Sequence, residues 1–376
     1  MGGAHRPTIH VGQRLPEITW AGEQDELTDA SPYLCPVFLS AAEQVTGDLK
    51  PFHTVALRGR GELALLPGYV VDRPPAANGD PRTYPGWAPG GGTSRAAGPS
   101  GGQADGENAT AAEAPFPCLL LGSPFGYRTE VAFNFWTPRL FGAMMTDVIR
   151  AAPEAGARSI VAPWVPDRTG NADLINALVA EGGHTARWGY EDFVSLRAAS
   201  WEAHLAALPA ETQQRITSDQ RSAEASGVDI LRLDGEQIRP HLSRIAELTC
   251  LDREKNGAGE DPARVAALLG GLLAAGADLR AYVGLASGGM VASCVLLRKQ
   301  DRLYQKWVGF DHRALGEADG LYFALALEAP VRDAYTEGLR AVELGVGDHE
   351  GRKLRGCSSR VLTTALLVAG ESKPGP

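Results

Sequence analysis

Three strand-length segments separated by two tight turns lie between residues 279 and 310, and they constrain the fold more than any other part of the sequence. The segments are residues 279–286, 290–298 and 302–310, and the turns are Ser287-Gly288-Gly289 and Lys299-Gln300-Asp301. Apolar and β-branched side chains dominate the segments, whereas glycine and polar residues fill the connections. Connections this short join neighbouring antiparallel strands, so the sequence predicts an antiparallel meander.

A helix and another strand follow the meander. Apolar residues recur at helical spacing over residues 321–337, and Gly338 ends this predicted helix. Residues 341–346 are strand-like, and a strand reached through a helix runs parallel to its neighbour. Upstream, the sequence predicts helices over residues 201–208, 211–226, 237–253 and 262–275 and a strand over residues 228–233. The predicted fold class is therefore α/β (α+β), with a mixed sheet flanked by helices.

The N-terminal half combines the same kinds of element with one long interruption. Predicted strands cover residues 54–57, 62–71, 118–121, 159–164 and 193–196, and predicted helices cover residues 137–151 and 171–181. Glycine, proline, alanine and small polar residues dominate residues 74–115, which cannot bury enough apolar surface to offset the entropy of ordering. We expect a flexible insertion there. The expected division is an arm over residues 1–30, a domain over residues 31–199 and a second domain over residues 200–376.

Composition and charge exclude several classes of protein. The 376 residues are 44% hydrophobic and 22% charged, which is sufficient for two domains with cores. A net charge of -9 argues against a dedicated nucleic-acid coat protein, although a local basic groove remains compatible with it. Five cysteines without a CxxC pair indicate reduced, buried thiols, and the histidine spacings indicate no metal site. The absence of an apolar signal region and of a membrane-length apolar run indicates a cytoplasmic protein.

Short motifs after the meander resemble a known superfamily. They are Gly309-Phe310-Asp311 after the third meander strand, Gly320 at the start of the next helix, Gly347-Asp348 after the parallel strand, and then Lys353 and Arg355-Gly356. With the order of elements, they resemble the BioF2-like or CelD-like branch of the GNAT acyltransferases, which is related to the Fem aminoacyltransferases. The resemblance covers residues 200–356. It implies a GNAT-like fold, with the N-terminal half as a divergent first copy of the domain in tandem.

The resemblance also implies an activity, N-acyl transfer by direct attack of an amine on an activated acyl or aminoacyl group. GNAT domains present the carbonyl between two diverging strands, which would be residues 303–310 and 341–346. The co-substrate would be acyl-CoA or aminoacyl-tRNA, with an acyl carrier protein as another donor and no tightly bound cofactor. The acceptor would be a small-molecule or peptidyl amine. The oligomeric state is left open.

One departure from the family pattern concerns phosphate binding. GNAT enzymes that use acetyl-CoA carry a glycine-rich loop whose N–H groups bind pyrophosphate. Here residues 315–323 read LGEADGLYF, so Glu317 and Asp319 would repel phosphate and only Gly320 is placed to bind the cofactor. This departure keeps an alternative open, a catalytically inactive binding or scaffold protein on a GNAT fold.

Candidate catalytic residues follow the parallel strand. Asp348 and His349 are expected to be the general base and its neighbour, while a capped turn with a solvated histidine is the competing interpretation. Lys353 completes the catalytic set, because Fem-like proteins hold a lysine here near the acceptor or the charged end of the donor. Arg352 is either a phosphate contact or part of a solvated basic turn. Asp311 is expected to cap the turn after its strand.

Candidate substrate-binding residues lie on the third meander strand and in the basic run. Strand alternation puts Tyr304 and Lys306 on one face and Gln305 and Trp307 on the other, and one face is expected to line a substrate channel. We assign Tyr304, Lys306 and Arg355 to substrate binding.

Overall fold

The chain divides into two compact units, which we call the first unit (Met1–Gly189 with Val361–Pro376) and the second unit (Tyr190–Arg360). The computed structural model describes residues 8–15, 30–47, 49–58, 62–72, 116–123, 125–126, 128–134, 137–168, 170–255, 260–286, 288–315 and 319–368. The insertion expected over residues 74–115 lies outside these ranges. The expected boundary after residue 199 lies ten residues later than the observed boundary after Gly189. The expected division also placed Val361–Pro376 in the second domain, whereas this segment belongs to the first unit.

Strands and helices are numbered along the chain. The strands are β1 (Thr8–Gln13), β2 (Lys50–Pro51), β3 (His53–Arg58), β4 (Glu62–Leu66), β5 (Gly68–Val71), β6 (Cys118–Leu121), β7 (Ala132–Phe133), β8 (Ser159–Pro166), β9 (His184–Ser195), β10 (Asp229–Asp234), β11 (Leu279–Ala286), β12 (Gly289–Lys299), β13 (Arg302–Phe310), β14 (Ala341–Gly345) and β15 (Ser358–Val368). The α-helices are α1 (Pro36–Val45), α2 (Pro138–Glu154), α3 (Asn171–Ala180), α4 (Trp201–Ala207), α5 (Ala210–Ala225), α6 (Leu242–Lys255), α7 (Pro262–Ala274), α8 (His312–Leu315), α9 (Asp319–Phe323), α10 (Ala329–Thr336) and α11 (His349–Lys353). Short 3-10 helices cover Pro32–Leu34 and Gly235–His241. No helix among the described residues is both long and apolar enough to cross a membrane.

The first unit contains two sheets. One is antiparallel with strand order β1-β3-β4-β7, so residues expected in an N-terminal arm form a strand of it. In the other, β2, β5, β6, β8 and the end of β15 follow one another, and β6 and β8 are its parallel pair.

The run predicted as one strand over residues 62–71 is two strands in different sheets. β4 and β5 are separated by Pro67, which has no N–H to donate to a ladder. A Cβ at Gly68 would lie 2.8 Å from the carbonyl oxygen of Phe52, so the close approach requires glycine. The prediction of a single strand was wrong because the proline redirects the chain between the sheets.

Helix α2 forms the core of the first unit. Thr137 caps it, because its Oγ1 accepts a hydrogen bond from the Leu140 N–H at 3.2 Å, and Pro138 occupies the first turn. Phe141 and Met144 are fully buried in one cluster with residues of β6 and β8. The predicted helical spacing of this segment is confirmed.

The second unit contains one sheet, ordered β10-β11-β12-β13-β14-β9. Its first four strands pair antiparallel in sequence, which confirms the predicted meander. β14 pairs parallel with β13, as predicted for a strand reached through a helix, and residues 192–195 of β9 form the next antiparallel pair. Gln300 has a φ of 52°, a left-handed conformation that fits the tight turn between β12 and β13.

A proline shapes the helix that connects β13 to β14. The predicted helix begins at α9, passes through a π-helical segment, Ala324–Glu328, and continues as α10. Pro330 has no N–H, so the Ala326 carbonyl lacks its α-helical partner four residues later. The Gln305 Nε2 of β13 donates to that carbonyl at 2.5 Å. The proline therefore creates an acceptor that fixes a side chain of the central strand.

Two strands were underestimated from the sequence. β9 begins at His184, well before the predicted residues 193–196, and β15 was not predicted. The start of β9 is mostly exposed or half-buried, so it lacks the clear alternation by which a strand is recognised. Residues 362–368 of β15 pair with β8 in the first unit, a long-range pairing that carries no local signal.

Candidate functional site

The parallel pairing of β13 and β14 is short. The last pair of the ladder joins Tyr304 with Glu343, after which β13 continues to Phe310 whereas β14 ends at Gly345. We call the region just beyond the last pair the ladder end. The two strands that were expected to diverge therefore stop pairing beyond Tyr304 and Glu343.

The Arg352 side chain of α11 occupies the ladder end. Its Nη1 donates to the Gly345 carbonyl at 2.9 Å, and its Nη2 donates to Gln305 Oε1 at 2.9 Å and to the Tyr322 hydroxyl at 3.2 Å. The side chain is only 4% exposed. Burial therefore excludes the solvated turn as an interpretation of Arg352. One guanidinium joins both diverging strands to helix α9.

Gly347 lies directly against this guanidinium. A Cβ at position 347 would lie 2.6 Å from Arg352 Nη2, which explains the glycine of the Gly347-Asp348 pair. Burial opposes the charge, yet Tyr322 and Asp192 raise the pKa of Arg352 above its ordinary value. The ladder end thus contains a permanent buried cation.

His349 is held beside the ladder end by a buried carboxylate. Its Nδ1 lies 2.8 Å from Oδ1 of Asp192 on β9, and Ser359 Oγ donates to the same oxygen at 2.8 Å. The ring stacks on Tyr190, with centroids 4.2 Å apart and planes at 11°. With the carboxylate as acceptor, a neutral imidazole carries its proton on Nδ1 and its lone pair on Nε2. The His349 side chain keeps 18% of its surface exposed, and its Nε2 lies 3.9 Å from Glu350 Oε1.

The two other residues assigned to catalysis lie differently. Asp348 caps α11, because its Oδ1 accepts a hydrogen bond from the Gly351 N–H at 3.0 Å. Lys353 is exposed at the end of the same helix, and no ion pair or hydrogen bond of its ammonium is found among the described residues. Their predicted roles stay predictions, and the carboxylate that contacts His349 is Asp192.

Arg355, assigned to substrate binding, is engaged within the second unit. Its Nε and Nη2 donate to Asp219 of α5 at 2.5 and 2.9 Å, and its Nη1 donates to the Gly351 carbonyl at 2.8 Å. The guanidinium also stacks on Phe323, 3.1 Å from the ring centroid. A bidentate, stacked arginine of this kind joins α5, α9 and α11.

Tyr304 and Lys306 are both buried in β13. The ladder with β12 shifts between Trp307 and Gln305, so Lys306 is the extra residue of a β-bulge and the predicted regular alternation is interrupted there. Burial, followed by the charge of Arg253, lowers the pKa of Lys306 well below its ordinary value. These side chains lie within the sheet packing, and their assignment to substrate binding stays a prediction.

Two glycines of the family motifs permit close helix packing. A Cβ at Gly320 would lie 2.5 Å from Ser222 Cβ and 2.7 Å from the Asp219 carbonyl oxygen, both on α5. A Cβ at Gly309 would collide with the α6 backbone at Leu248. Packing therefore accounts for Gly320 without a phosphate, and its assignment to cofactor binding stays a prediction.

Asp311 caps the turn after β13. Its Oδ1 accepts a hydrogen bond from the Ala314 N–H at 3.1 Å, and Arg244 donates to its Oδ2 at 3.0 Å. The Ala314 N–H and Arg244 lower the pKa of Asp311. The predicted capping role is confirmed.

The cysteines form no disulfide in this structure. Four of the five are buried. Burial raises the pKa of Cys294 and of Cys357 to about 12, so both are thiols at neutral pH. Within the described ranges, no three His, Cys, Asp or Glu side chains are grouped as metal ligands.

Sequence reasoning missed Asp192 and Gln305 as parts of this site. Asp192 precedes His349 by 157 residues, and its strand carried no clear pattern. Gln305 was expected on the face away from the candidate substrate residues. The only usable signals were Pro330, which leaves a helix carbonyl for Gln305, and Gly347, which makes room for Arg352.

Residues 210–351 match the family described as Acetyltransferase (GNAT) domain. This part of the chain is related to the GNAT acyltransferases. The matched range includes β13, β14, His349 and Gly347 but ends one residue before Arg352. No curated protein matches the sequence significantly.

Solved structures extend the similarity of fold to the whole chain. A tandem GNAT protein from the clavulanic acid biosynthesis pathway is 12% identical with a TM-score of 0.52, over 98% of this chain and 100% of that one. FemX is 10% identical with a TM-score of 0.55, over 91% of this chain and 94% of that one. A conserved protein of unknown function from Bacteroides thetaiotaomicron is 12% identical with a TM-score of 0.51, over 96% and 100%. The family match over residues 210–351 confirms the expected relation to the GNAT superfamily, and these structures confirm the expected tandem GNAT-like fold.

Proposed function

We propose that the second unit catalyses N-acyl transfer by direct attack, with His349 as the general base. The observation that carries the proposal is the His349 imidazole, whose Nδ1 is held by buried Asp192 beside the ladder end. An attacking amine must be neutral, and an imidazole with a free Nε2 can take the proton that the amine releases. A new N–C bond forms to the acyl carbon, the bond from that carbon to the donor sulfur or oxygen breaks, and the leaving group gains a proton.

The surroundings of Ser359 favour direct attack over a covalent acyl-serine. A nucleophilic serine donates its proton to the base before attack. Ser359 instead donates to Asp192, and its Oγ lies 3.5 Å from Nδ1, the nitrogen already engaged by the carboxylate. The serine thus helps to orient Asp192, and Nε2 is left for the amine.

The donor class is part of this proposal. Acyl-CoA and aminoacyl-tRNA both present a carbonyl activated toward an amine, and we place the reaction in the cytoplasm, where both are made. Packing accounts for Gly320, so the residue that would bind CoA phosphate has another explanation. That observation favours testing charged tRNA as well as thioesters, and it also supports the alternative of an inactive binding protein.

The test is intact-mass detection of acylated amine after incubation of the full chain with CoA thioesters and then with charged tRNAs. His349→Gln should lower kcat/KM by roughly 10²–10⁴-fold, the usual contribution of a general base. His184→Gln, an exposed histidine of the first unit, is the matched control and should retain full activity.

Two outcomes would contradict the proposal. Full activity in His349→Gln would remove the histidine from the mechanism. Donor-dependent thermal stabilisation without product from any donor would establish the binding protein instead.

A further inference from the structure

Asp192 is a buried carboxylate that uses only one of its oxygens. Oδ1 accepts from His349 and Ser359, whereas Oδ2 is buried and makes no hydrogen bond with any described residue. The Asp192 side chain is fully buried. A buried carboxylate oxygen without a hydrogen bond is costly, and a nearby positive charge offsets part of that cost.

Arg352 supplies that charge from the ladder end. Its Nη1 lies 3.9 Å from Asp192 Oδ2, beyond hydrogen-bond distance but close enough for a strong interaction in a buried setting. The guanidinium is fixed in place by Gly345, Gln305 and Tyr322. Arg352, Asp192 and His349 therefore form a continuous series that runs from the strands to the proposed base.

We infer that Arg352 is a positioning residue of the proposed reaction: it holds β13 and β14 at the ladder end and places its charge beside Asp192, the carboxylate that orients the His349 ring. The inference rests on the proposed function for its catalytic consequence. The interaction of Arg352 with Asp192 needs no substrate, so it can be tested whether or not a donor is found.

The other ionisable groups around these three residues do not replace Arg352. The Tyr322 hydroxyl contacts the guanidinium, and burial raises the pKa of Tyr322, so it stays neutral. Cys294 and Cys357 also lie near the guanidinium, and both are thiols at neutral pH. Glu350 is an exposed acid on the far side of the His349 ring. Among these described neighbours, Arg352 is the one permanent cation.

The sign of the effect follows from charge alone. Asp192 and His349 are in direct contact, and the guanidinium lies 3.9 Å from the second carboxylate oxygen. A cation at that distance disfavours the uptake of a proton by the two side chains. Removing the guanidinium should therefore make that uptake easier.

The first measurement is the titration of the His349 ring nitrogens by NMR in the full chain. Arg352→Met removes the charge and keeps much of the volume, and it should move the midpoint to higher pH. Arg352→Lys keeps the charge without the guanidinium fork and should leave the midpoint close to that of the wild type. Arg313→Met, an exposed arginine on α8, is the matched control and should behave as the wild type does.

The second measurement is the pH dependence of kcat for N-acyl transfer. A base must be unprotonated, so the rising limb should move to higher pH in Arg352→Met. In Arg352→Lys the limb should stay in place while kcat falls about 10-fold or more, because a lysine cannot bridge Gly345 and Gln305. A purely structural arginine would lower stability in both variants without moving the limb.

The outcomes separate the inference from the proposed function. An unchanged His349 midpoint in folded Arg352→Met would overturn the inference, whatever the activity. A shifted midpoint in a protein without turnover would support the electrostatic role while contradicting the enzyme. If Arg352→Met does not fold, Arg352→Met combined with Asp192→Asn removes both buried charges and should fold. If the double variant also failed to fold, the inference would be overturned, because compensation of the Asp192 charge would then not account for the requirement for Arg352.

Discussion

Each unit contains a short parallel pair of strands, and different groups occupy the gap beyond its last pair. In the first unit β6 and β8 are parallel over three pairs, from Cys118 with Ser159 to Leu120 with Val161. In the second unit β13 and β14 are parallel over three pairs that end at Tyr304. A helix connects the strands in each case, and a further helix and strand follow. The same arrangement therefore occurs twice in the chain.

In the first unit the main chain closes the gap beyond the last pair. Thr129 donates its N–H to the Trp164 carbonyl at 3.2 Å and its Oγ1 to the Leu121 carbonyl at 2.9 Å. Gly122 has a φ of 87°, and a Cβ there would lie 2.6 Å from Thr129 Oγ1. The backbone that seals this gap is buried and cannot leave without unfolding the segment.

In the second unit a side chain occupies the corresponding place. Arg352 bridges the diverging strands, and a histidine held by a carboxylate lies next to it. A side chain can be shifted by a ligand at a far smaller cost than a main-chain segment can. The repeated topology does not fix the chemistry, because the residues that fill the gap decide it. We therefore expect transfer in the second unit alone.

The largest expected effect on stability concerns Glu130, which follows Thr129. Glu130 lies 3.6 Å from Arg128 and 3.4 Å from Arg168, and it accepts a hydrogen bond from the Ser31 N–H at 3.1 Å. Glu130→Gln removes one partner of a buried ion pair and should cost about 3 kcal/mol of unfolding free energy. Hydrogen exchange should locate the loss in the first unit, and kcat should not change. Glu350→Gln, at an exposed acid, is the control; an equal loss there would contradict the account.

The same residue predicts a pH dependence. Burial opposes the ionisation of Glu130, but Arg128 and Arg168 hold its pKa below the ordinary value. A carboxyl with a lowered pKa stabilises the fold above its unfolded pKa of about 4.3, and this contribution is lost as the pH falls through the folded value. Urea unfolding between pH 6 and pH 3 should show a smaller acid-induced loss in Glu130→Gln than in the wild type. Parallel curves would exclude Glu130 as a source of acid sensitivity.

A matched pair of glycine substitutions tests which of the two gaps supports the reaction. Gly122→Ala adds a side chain at a φ of 87° against main chain, so it should destabilise the first unit by about 2 kcal/mol and leave kcat unchanged. Gly347→Ala collides with the Arg352 guanidinium, so it should cost about 1 kcal/mol and lower kcat about 10-fold. Urea unfolding and steady-state kinetics check both. If Gly122→Ala lost activity and Gly347→Ala kept it, the reaction would lie in the first unit.

The sequence sufficed for the elements whose determinants are local. The meander, α2 and the connecting helix could be predicted because apolar periodicity, Thr137-Pro138 and short turns act over a few residues. The site could be predicted in part: His349, which lies beside the ladder end, was assigned to catalysis from the sequence, and that role stays a prediction. Asp348 was assigned to catalysis as well, and it caps α11. Asp192 could not be identified, because its contact depends on the pairing of β9 with β14. Packing glycines and phosphate-binding glycines cannot be distinguished without the neighbouring helix.

The smallest structural effect and a decisive functional one are expected at Lys353. Its exposure predicts that Lys353→Ala changes the unfolding free energy by less than about 0.5 kcal/mol. If the ammonium contacts the charged end of the donor, KM for the donor should rise several-fold with kcat unchanged, because such a contact is equal in the ground and transition states. Lys255→Ala, at an exposed lysine of α6, is the control. Unchanged kinetics would remove Lys353 from the site. The donor would then have to be bound by groups other than the Lys353 ammonium.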